Sequence, residues 1–170
     1  MVERRFGAET ALSPQRQGFE VTDEKPPRGS PRSSGTGEIK GLRVLYAEDH
    51  PEMQRAVGRL LRVAGASVTI AQDGLEATDR ALSESFDLIL MDLRMPRMDG
   101  FDAARALRAA NCPLTLIAVT ADATPVVRAN ALAAGFDAVF PKPFELSDLI
   151  AAIHLVRERH SAQRRDSDSP

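Results

Sequence analysis

The sequence predicts an α/β fold in which a five-stranded parallel doubly wound sheet carries helices on both faces. Five short apolar segments alternate along the chain with five segments of helical periodicity, and such βα alternation is typical of doubly wound parallel sheets. The third segment, Leu88–Met91, is apolar at every position, as expected for a strand that helices cover on both faces.

Length and composition predict one domain with terminal tails. The chain has 170 residues, of which 43% are hydrophobic and 27% charged, as in ordinary globular proteins. Residues 1–40 combine several prolines with Gly, Ser and charges of both signs, which predicts a disordered tail or linker. Residues 158–170 are expected to form a disordered C-terminal tail, so the folded domain is expected over residues 41–157.

Composition also disfavours several classes of function. The net charge of −2 gives no indication of binding to nucleic acid or to an anionic membrane. The single cysteine, Cys112, cannot form an internal disulfide, and with three scattered histidines a zinc site is not expected. No apolar run is long enough to span a bilayer and the N-terminus lacks a signal-peptide core, so a cytoplasmic protein without a membrane segment is expected.

The first three strands follow from apolar runs, and the two helices between them from spacing. Residues 42–47 predict the first strand, Ser67–Ala71 the second and Leu88–Met91 the third. Gly65 ends the first helix, and the second is expected over Gly74–Ser83. Apolar residues at helical spacing in the first helix are Met53, Val57, Leu60, Leu61 and Ala64, and the second helix has Leu75, Thr78 and Leu82 at such spacing.

Proline, glycine and capping residues mark the later elements. Pro96 and Gly100 break the backbone after the third strand. Thr124 and Pro125 predict the N-cap and first position of a helix that Gly135 ends. The other expected elements are a helix over residues 101–110, strands over residues 114–119 and 138–140, and a final helix with Leu146, Leu149, Ile150, Ile153 and Val156 on its inner face.

Polar residues follow the predicted strands. Right-handed crossovers give parallel strands one polarity, so their carboxyl ends lie at one edge of the sheet, where such folds bind ligands. Several carboxylates at this edge need a cation, and oxygen ligands that leave room for water suit Mg²⁺. Lys142 is the only lysine within residues 41–157 and offers a compact positive charge for a phosphate or carboxylate. The edge residues are Glu48, Asp49, Asp92, Thr120 and Lys142.

A metal, a lysine and a hydroxyl around a carboxylate suit phosphoryl transfer, in which positioning and charge neutralisation supply most of the catalysis. Asp92 is central to the edge and is the expected acceptor, because an aspartate can take a phosphoryl group and form an acyl phosphate. Glu48 and Asp49 are expected to hold the metal. Thr120 is expected to donate a hydrogen bond to a phosphoryl oxygen.

These residues resemble those of the receiver domains of two-component response regulators, over about residues 42–156. The resemblance implies a flavodoxin-like sheet with strand order 2-1-3-4-5. The loop after Asp92 and the Lys-Pro-Phe ending are similar to receivers of hybrid histidine kinases. The motifs that carry the resemblance to receiver domains are Glu48-Asp49, the segment Met-Asp-Leu-Arg-Met-Pro-Arg-Met-Asp-Gly around Asp92, Thr120-Ala121 and Phe140-Pro141-Lys142-Pro143-Phe144.

The resemblance assigns a role to each site residue. Asp92 is implied to be the phosphoacceptor, and Thr120 and Lys142 are implied to bind the phosphoryl oxygens. The bond between Lys142 and Pro143 is expected to be cis, a form that is credible only before proline. The implied Mg²⁺ ligands are Asp49 directly, Glu48 through water, Asp92 and the backbone carbonyl of Arg94.

The resemblance also implies a signalling output. A histidine kinase or histidine phosphotransfer protein supplies the phosphoryl group, and the chain promotes only its own phosphorylation and dephosphorylation. Phosphorylation draws Thr120 toward the phosphate, Phe140 turns into the space left behind, and the face of the fourth helix, fifth strand and fifth helix is remodelled for a protein effector. Residues 157–170 are too few for a DNA-binding domain, so no direct contact with nucleic acid is expected. A phosphorylation-dependent dimer is an alternative that the resemblance allows.

Alternative interpretations concern the whole protein and its chemistry. Met1 favours a stand-alone receiver, whereas the linker-like first 40 residues favour the C-terminal receiver of a hybrid histidine kinase, the only case in which kinase activity is expected. A haloacid dehalogenase-like phosphohydrolase normally has a second aspartate two positions after its nucleophile, where this chain has Arg94. The chain has no Gly-rich phosphate-binding loop after its first strand, which disfavours a nucleotide-binding fold. A flavodoxin-like carrier is also disfavoured, because Glu48 and Asp49 would repel the phosphate of its flavin.

Overall fold

The computed structural model describes residues 39–167, with side chains as far as residue 158. Strands and helices alternate throughout this part of the chain, as predicted. The expected disordered tail of residues 1–40 lies outside the described residues except for its last two positions. The strands are β1 (Arg43–Ala47), β2 (Ser67–Ala71), β3 (Leu88–Met91), β4 (Thr115–Thr120) and β5 (Ala138–Pro141), and the helices are α1 (Pro51–Val63), α2 (Gly74–Ser83), α3 (Gly100–Ala109), α4 (Pro125–Ala134) and α5 (Leu146–Ser167).

The five strands form one parallel sheet in the order β2-β1-β3-β4-β5, which confirms the predicted fold class. Strand β3 lies at the centre, with Ile89 paired to Leu45 of β1 and to Leu116 of β4. Every residue of β3 is buried. A strand without an exposed face is the expected result when helices cover both sides of a parallel sheet.

Successive side chains of the central strands enter two different hydrophobic layers. Leu45 and Ile89 pack toward α2, α3 and α4, whereas Val44 and Leu88 pack toward α1 and α5. This alternation follows from the two-residue period of a strand and divides the core between the two faces of the sheet. Within the described residues, no helix has the length and hydropathy needed to cross a bilayer.

Helix α2 packs through small side chains rather than through its leucines. Leu75 is 42% exposed and Leu82 is 53% exposed, so neither forms the buried face. The buried face comprises Gly74, Ala77, Thr78 and Ala81, whose spacing is also helical. Leu60 of α1 departs from the prediction in the same way, with 42% of its surface exposed.

Glycine and small residues allow α2 to approach its neighbours closely. A Cβ atom at Gly74 would lie 2.5 Å from the carbonyl oxygen of Met98, and 3.1 Å from the Cβ of Ala103 on α3. Larger side chains on this face would separate α2 from α3. The alanine and glycine positions therefore form the contact, and the leucines point outward.

Helix α5 is longer than the sequence predicts. Leu149, Ile150, Ile153 and Val156 are buried, as expected for its inner face. The helix continues to Ser167, so the disordered tail expected over residues 158–170 is wrong for the part that reaches position 167. The apolar periodicity ends near residue 156, but Arg, Glu, Ala and Gln in the following segment have high helix propensity.

The predicted turn residues shape the ends of α3 and α4. The Thr124 side chain accepts a hydrogen bond from the Val127 N–H, and Gly135 adopts the left-handed conformation with φ of 111°, as predicted for the ends of α4. Helix α3 begins at Gly100, one residue before the predicted start, because Asp99 caps it by accepting a hydrogen bond from the Asp102 N–H.

Candidate functional site

The candidate site lies where the parallel strands end. Glu48 and Asp49 follow β1, Asp92 follows β3, Thr120 is the last residue of β4 and Lys142 follows β5. These strands are neighbours in the sheet, in the order β1-β3-β4-β5. The structure therefore places all five sequence-predicted side chains at the same edge, and direct contacts join three of them.

Lys142 joins the acidic residues of two strands. Its ammonium donates hydrogen bonds to Glu48 Oε2 over 2.5 Å and to Asp92 Oδ2 over 2.6 Å. The side chains of Lys142, Glu48 and Asp92 are 12%, 1% and 13% exposed, so little water screens their contacts. Burial alone would lower the pKa of Lys142, but the hydrogen bonds and charges of Asp92 and Glu48 raise that pKa above its usual value. Lys142 is therefore a fixed positive charge between two carboxylates.

Glu48 is fully buried, and donors contact both of its carboxylate oxygens. Oε2 accepts a second hydrogen bond, from the Tyr46 hydroxyl over 2.9 Å, and Oε1 accepts one from the His50 N–H over 3.3 Å. Gln54 Nε2 donates to the backbone oxygen of Glu48 over 2.6 Å. Burial and the neighbouring Glu48 carboxylate raise the pKa of Tyr46 far above its usual value, so this hydroxyl keeps its proton.

Asp92 is held by its own loop as well as by Lys142. Its Oδ1 accepts a hydrogen bond from the Arg94 N–H over 3.0 Å, and its N–H donates to the Ala47 oxygen over 2.9 Å. Gly100 permits the tight return of the loop, because a Cβ there would lie 2.4 Å from the Asp92 carbonyl oxygen. The carboxylate is consequently fixed in position at the end of a rigid strand.

Three consecutive residues after β1 could together hold a metal ion. One ligand atom from each of Glu48, Asp49 and His50 lies within 4.8 Å of the others. His50, which was not among the residues expected at the site, places its Nδ1 3.1 Å from Asp49 Oδ1. Carboxylate oxygens are the donors that Mg²⁺ prefers, and the 27% exposure of Asp49 leaves room for water on the ion.

Thr120 and the two loops beside it border the site on the β4 side. Thr120 is 2% exposed, and its hydroxyl oxygen accepts a hydrogen bond from the Asp122 N–H over 3.2 Å. The Arg94 guanidinium forms an ion pair of 2.8 Å with the Asp122 carboxylate. Arg94 and Asp122 each lie two residues beyond a site residue on adjacent strands, so their proximity follows from the topology, although Asp122 was not expected at the site from the sequence.

Phe140, the expected switch residue, is half-buried in β5. Its ring lies edge-on to Phe144 with 5.6 Å between ring centroids, and both rings pack against the core layer of α1 and α5. The cis peptide bond between Lys142 and Pro143 is present as expected from the sequence. The segment that carries Lys142 is thus anchored by an aromatic ring on each side.

An ion pair between Asp73 and Arg97 connects the N-terminus of α2 to the loop after Asp92. The Asp73 carboxylate accepts hydrogen bonds from the Arg97 guanidinium and, over 3.0 Å, from the Glu76 N–H at the start of α2. Arg97 has a left-handed backbone with φ of 63°, and the Gly74 N–H donates to the Met98 oxygen over 3.1 Å. An aspartate directly before a predicted helix indicates that Asp73 is its N-cap, but no sequence pattern indicates that Arg97 is the partner of Asp73.

Asp73→Ala is expected to lower the free energy of unfolding by about 2 kcal/mol, because it removes both the cap and the ion pair. Burial alone would raise the pKa of Asp73, but the hydrogen bond from Glu76 and the Arg97 guanidinium hold that pKa below its usual value. Because the folded-state pKa lies below the unfolded value of about 4, this stabilisation is complete above that pH and is lost as pH falls below it and through the lower folded-state pKa. Urea unfolding at neutral and acid pH measures both effects.

The matched control is Asp102→Ala. Asp102 also pairs with an arginine, but both partners are exposed, and such pairs contribute less than about 0.5 kcal/mol. An equal loss of stability in the two variants at neutral pH would contradict the role given to Asp73.

Comparisons with known proteins agree in one family. Residues 44–154 match the family model described as the response regulator receiver domain. The response regulator MprA of Mycobacterium sp. (strain KMS) is 35% identical over 129 residues, which are 76% of this chain and 56% of that protein. The chain thus spans about half the length of the curated relatives it matches.

Solved structures with the same fold are also similar. The receiver domain of sensor histidine kinase PA1611 from Pseudomonas aeruginosa PAO1, solved with a magnesium ion coordinated in its active site cleft, has 35% identity and a TM-score of 0.65 over 69% of this chain and 98% of its own. The Saccharomyces cerevisiae complex of the phosphotransfer protein Ypd1 with the receiver domain of Ssk1 matches with 28% identity and a TM-score of 0.61, over 65% of this chain and 84% of that one.

Proposed function

This chain belongs to the family of response regulator receiver domains, and on that premise we propose that Asp92 accepts a phosphoryl group from a phosphohistidine in a Mg²⁺-dependent reaction. The observation that carries the proposal is the Lys142 ammonium, which contacts both Asp92 and the buried Glu48 at the carboxyl end of the sheet. Such fixed charges around a carboxylate favour phosphoryl transfer because little reorganisation is needed at the moment of reaction.

The proposed chemical step is a displacement at phosphorus. An Asp92 carboxylate oxygen attacks the phosphoryl group, a new O–P bond forms, and the N–P bond of the donor phosphohistidine breaks. The electron pair of the broken bond remains on the imidazole nitrogen of the donor, and Asp92 becomes an acyl phosphate. Lys142, which already lies 2.6 Å from Asp92, transfers a hydrogen bond to a phosphoryl oxygen, and the Thr120 hydroxyl donates to another.

The donor set at this edge fits Mg²⁺. Glu48 and Asp49 belong to the cluster that could hold an ion. We assign Asp49 as a direct ligand and Glu48 as a ligand through water, with Asp92 and the backbone carbonyl of Arg94 as the remaining protein ligands. A bound Mg²⁺ neutralises the negative charge on the phosphoryl oxygens. The magnesium ion in the similar PA1611 receiver domain supports this assignment.

Phosphorylation is proposed to shift the face formed by α4, β5 and α5. When the Thr120 hydroxyl moves toward the phosphoryl group, the half-buried Phe140 turns into the space that opens beside β4. The new charged group and its hydrogen bonds bias two arrangements of the same face. A downstream protein effector, or a second copy of the domain, would then recognise the shifted arrangement.

Phe140→Leu is expected to leave the extent of phosphorylation unchanged and to weaken this shift by about 1 kcal/mol, or roughly fivefold in the population ratio. Leucine fills part of the core but cannot occupy the same space when it turns. Amide NMR spectra of both proteins, recorded with and without phosphorylation, measure the shift on the α4–β5–α5 face. Identical phosphorylation-dependent changes in both proteins would count against the switch role of Phe140.

The proposed phosphoryl donor is a histidine kinase or a histidine phosphotransfer protein, as the similar complex of Ypd1 and Ssk1 suggests. We assign the receiver domain to residues 41–157, and the family match over residues 44–154 supports this assignment. It promotes only its own phosphorylation and dephosphorylation. The similarity to the receiver of a sensor histidine kinase keeps the C-terminal receiver of a hybrid kinase as the alternative to a stand-alone protein.

A phosphotransfer assay tests this function. A phosphotransfer protein carrying labelled phosphohistidine is mixed with the chain, and the label on both proteins is followed with Mg²⁺ and with a chelator. The proposal predicts that label leaves the donor and appears on this chain only when Mg²⁺ is present. If small phosphodonors and several such proteins all fail to label a folded chain, the phosphoacceptor proposal is wrong.

A further inference from the structure

Two different donors share one oxygen of the buried Glu48 carboxylate. Glu48 Oε2 accepts a hydrogen bond from the Lys142 ammonium over 2.5 Å and another from the Tyr46 hydroxyl over 2.9 Å. Both Tyr46 and Glu48 have no exposed surface, so water cannot replace either contact. Phenylalanine would fill the same volume in β1, so the distinctive contribution of Tyr46 is its hydroxyl.

The two donors differ in how they are held. Lys142 also contacts Asp92, and in the proposed reaction it transfers hydrogen bonds to the phosphoryl group. Tyr46 lies inside β1, where its neighbours pair with β2 and β3 and its ring packs in the core layer of α1 and α5. The Tyr46 hydroxyl therefore remains in contact with Glu48 when Lys142 moves.

We propose that Tyr46 is a positioning residue, which holds Glu48 Oε2 through the reaction so that Oε1 stays directed toward the metal site beside Asp49. Oε1 lies on the side of His50, with 3.6 Å to His50 Nδ1, and Asp49 Oδ1 lies 3.1 Å from the same nitrogen. This inference rests on the proposed function, in which Glu48 holds Mg²⁺. Hydrogen bonds from neighbouring residues to a ligating carboxylate commonly set its orientation and its affinity for the ion.

The composition of the chain supplies a direct spectroscopic readout. Tyr46 is the single tyrosine of the sequence, and there is no tryptophan. Tyrosine emission from the native protein therefore reports on this ring alone. Because its hydroxyl contacts a proposed metal ligand, we expect the emission to change as Mg²⁺ binds.

The test compares Mg²⁺ binding to the native chain and to Tyr46→Phe by titration calorimetry. Loss of the hydroxyl is expected to weaken Mg²⁺ binding about tenfold. Phosphorylation should therefore be slower in Tyr46→Phe at low Mg²⁺, and most of its rate should return at high Mg²⁺. Thr115→Val is the matched control, because it removes a buried hydroxyl from the opposite edge of the same sheet. Its Mg²⁺ affinity should equal that of the native chain.

The outcomes separate this inference from the proposed function. Unchanged Mg²⁺ affinity in Tyr46→Phe, with normal Mg²⁺ binding and phosphorylation in the native chain, overturns the positioning role alone. A native chain that does not bind Mg²⁺ overturns both proposals. If Tyr46→Phe does not fold, the native emission decides: a change that saturates with the calorimetric affinity supports the role, and constant emission while Mg²⁺ binds overturns it.

Discussion

Asp92→Asn is expected to abolish phosphorylation while the fold stays intact. The amide is not a nucleophile toward phosphorus, and the other carboxylates at the sheet edge do not replace it because Glu48 is buried beneath Lys142. The variant also loses one charge of the acidic cluster, so its Mg²⁺ affinity is expected to fall about tenfold. Intact mass spectrometry after incubation with acetyl phosphate and Mg²⁺ measures the phosphoryl adduct.

The control for this variant is Asp102→Asn, which changes an exposed aspartate on α3 in the same chemical way. It should be phosphorylated like the native chain. A phosphoryl adduct of normal yield on Asp92→Asn would show that another residue accepts the group.

Lys142→Met is expected to lower the stability of the fold and the rate of phosphorylation but to strengthen Mg²⁺ binding. The free energy of unfolding without Mg²⁺ should fall by about 3 kcal/mol, because two largely buried carboxylates lose their shared cation. Mg²⁺ should bind more tightly, since a competing positive charge has left the cluster. The phosphorylation rate should nevertheless fall by about 100-fold, because a donor to the phosphoryl oxygens is missing.

Urea unfolding with and without Mg²⁺ measures the first two effects, and the rate of adduct formation measures the third. Lys40→Met is the control, because Lys40 is exposed and lies outside the site. Weaker Mg²⁺ binding in Lys142→Met than in the native chain would contradict the electrostatic role given to this lysine.

The fold and the positions of the proposed site residues could be predicted because they depend on simple regularities. The βα alternation determines a parallel sheet, and parallel strands bring their ends to one edge whatever the details of packing. Glu48, Asp92 and Lys142 are far apart in the sequence, but each directly follows a strand. Their proximity therefore needed no knowledge of side-chain conformation.

Contacts that depend on three-dimensional packing could not be predicted. Tyr46 is an aromatic residue in a strand, and only the structure shows its hydroxyl on Glu48. The pairing of Asp73 with Arg97 depends on a left-handed backbone that sequence rules do not associate with arginine.

The buried face of α2 could not be predicted from the sequence either, because two faces of that helix have apolar residues at helical spacing. Leucine is the stronger apolar signal, yet the close approach of α3 selects the face of alanine and glycine. The end of α5 was missed for a related reason. Its last residues form helix without the apolar periodicity by which the element was recognised.

The most direct test of the central claim is to locate the phosphoryl group. The chain is incubated with Mg²⁺ and a small phosphodonor, reduced with borohydride to convert an acyl phosphate of aspartate to homoserine, and then sequenced as peptides by mass spectrometry. We expect one modification, at Asp92, which disappears when Mg²⁺ is chelated. Modification at a different residue, or at Asp92 with equal yield without Mg²⁺, would contradict it.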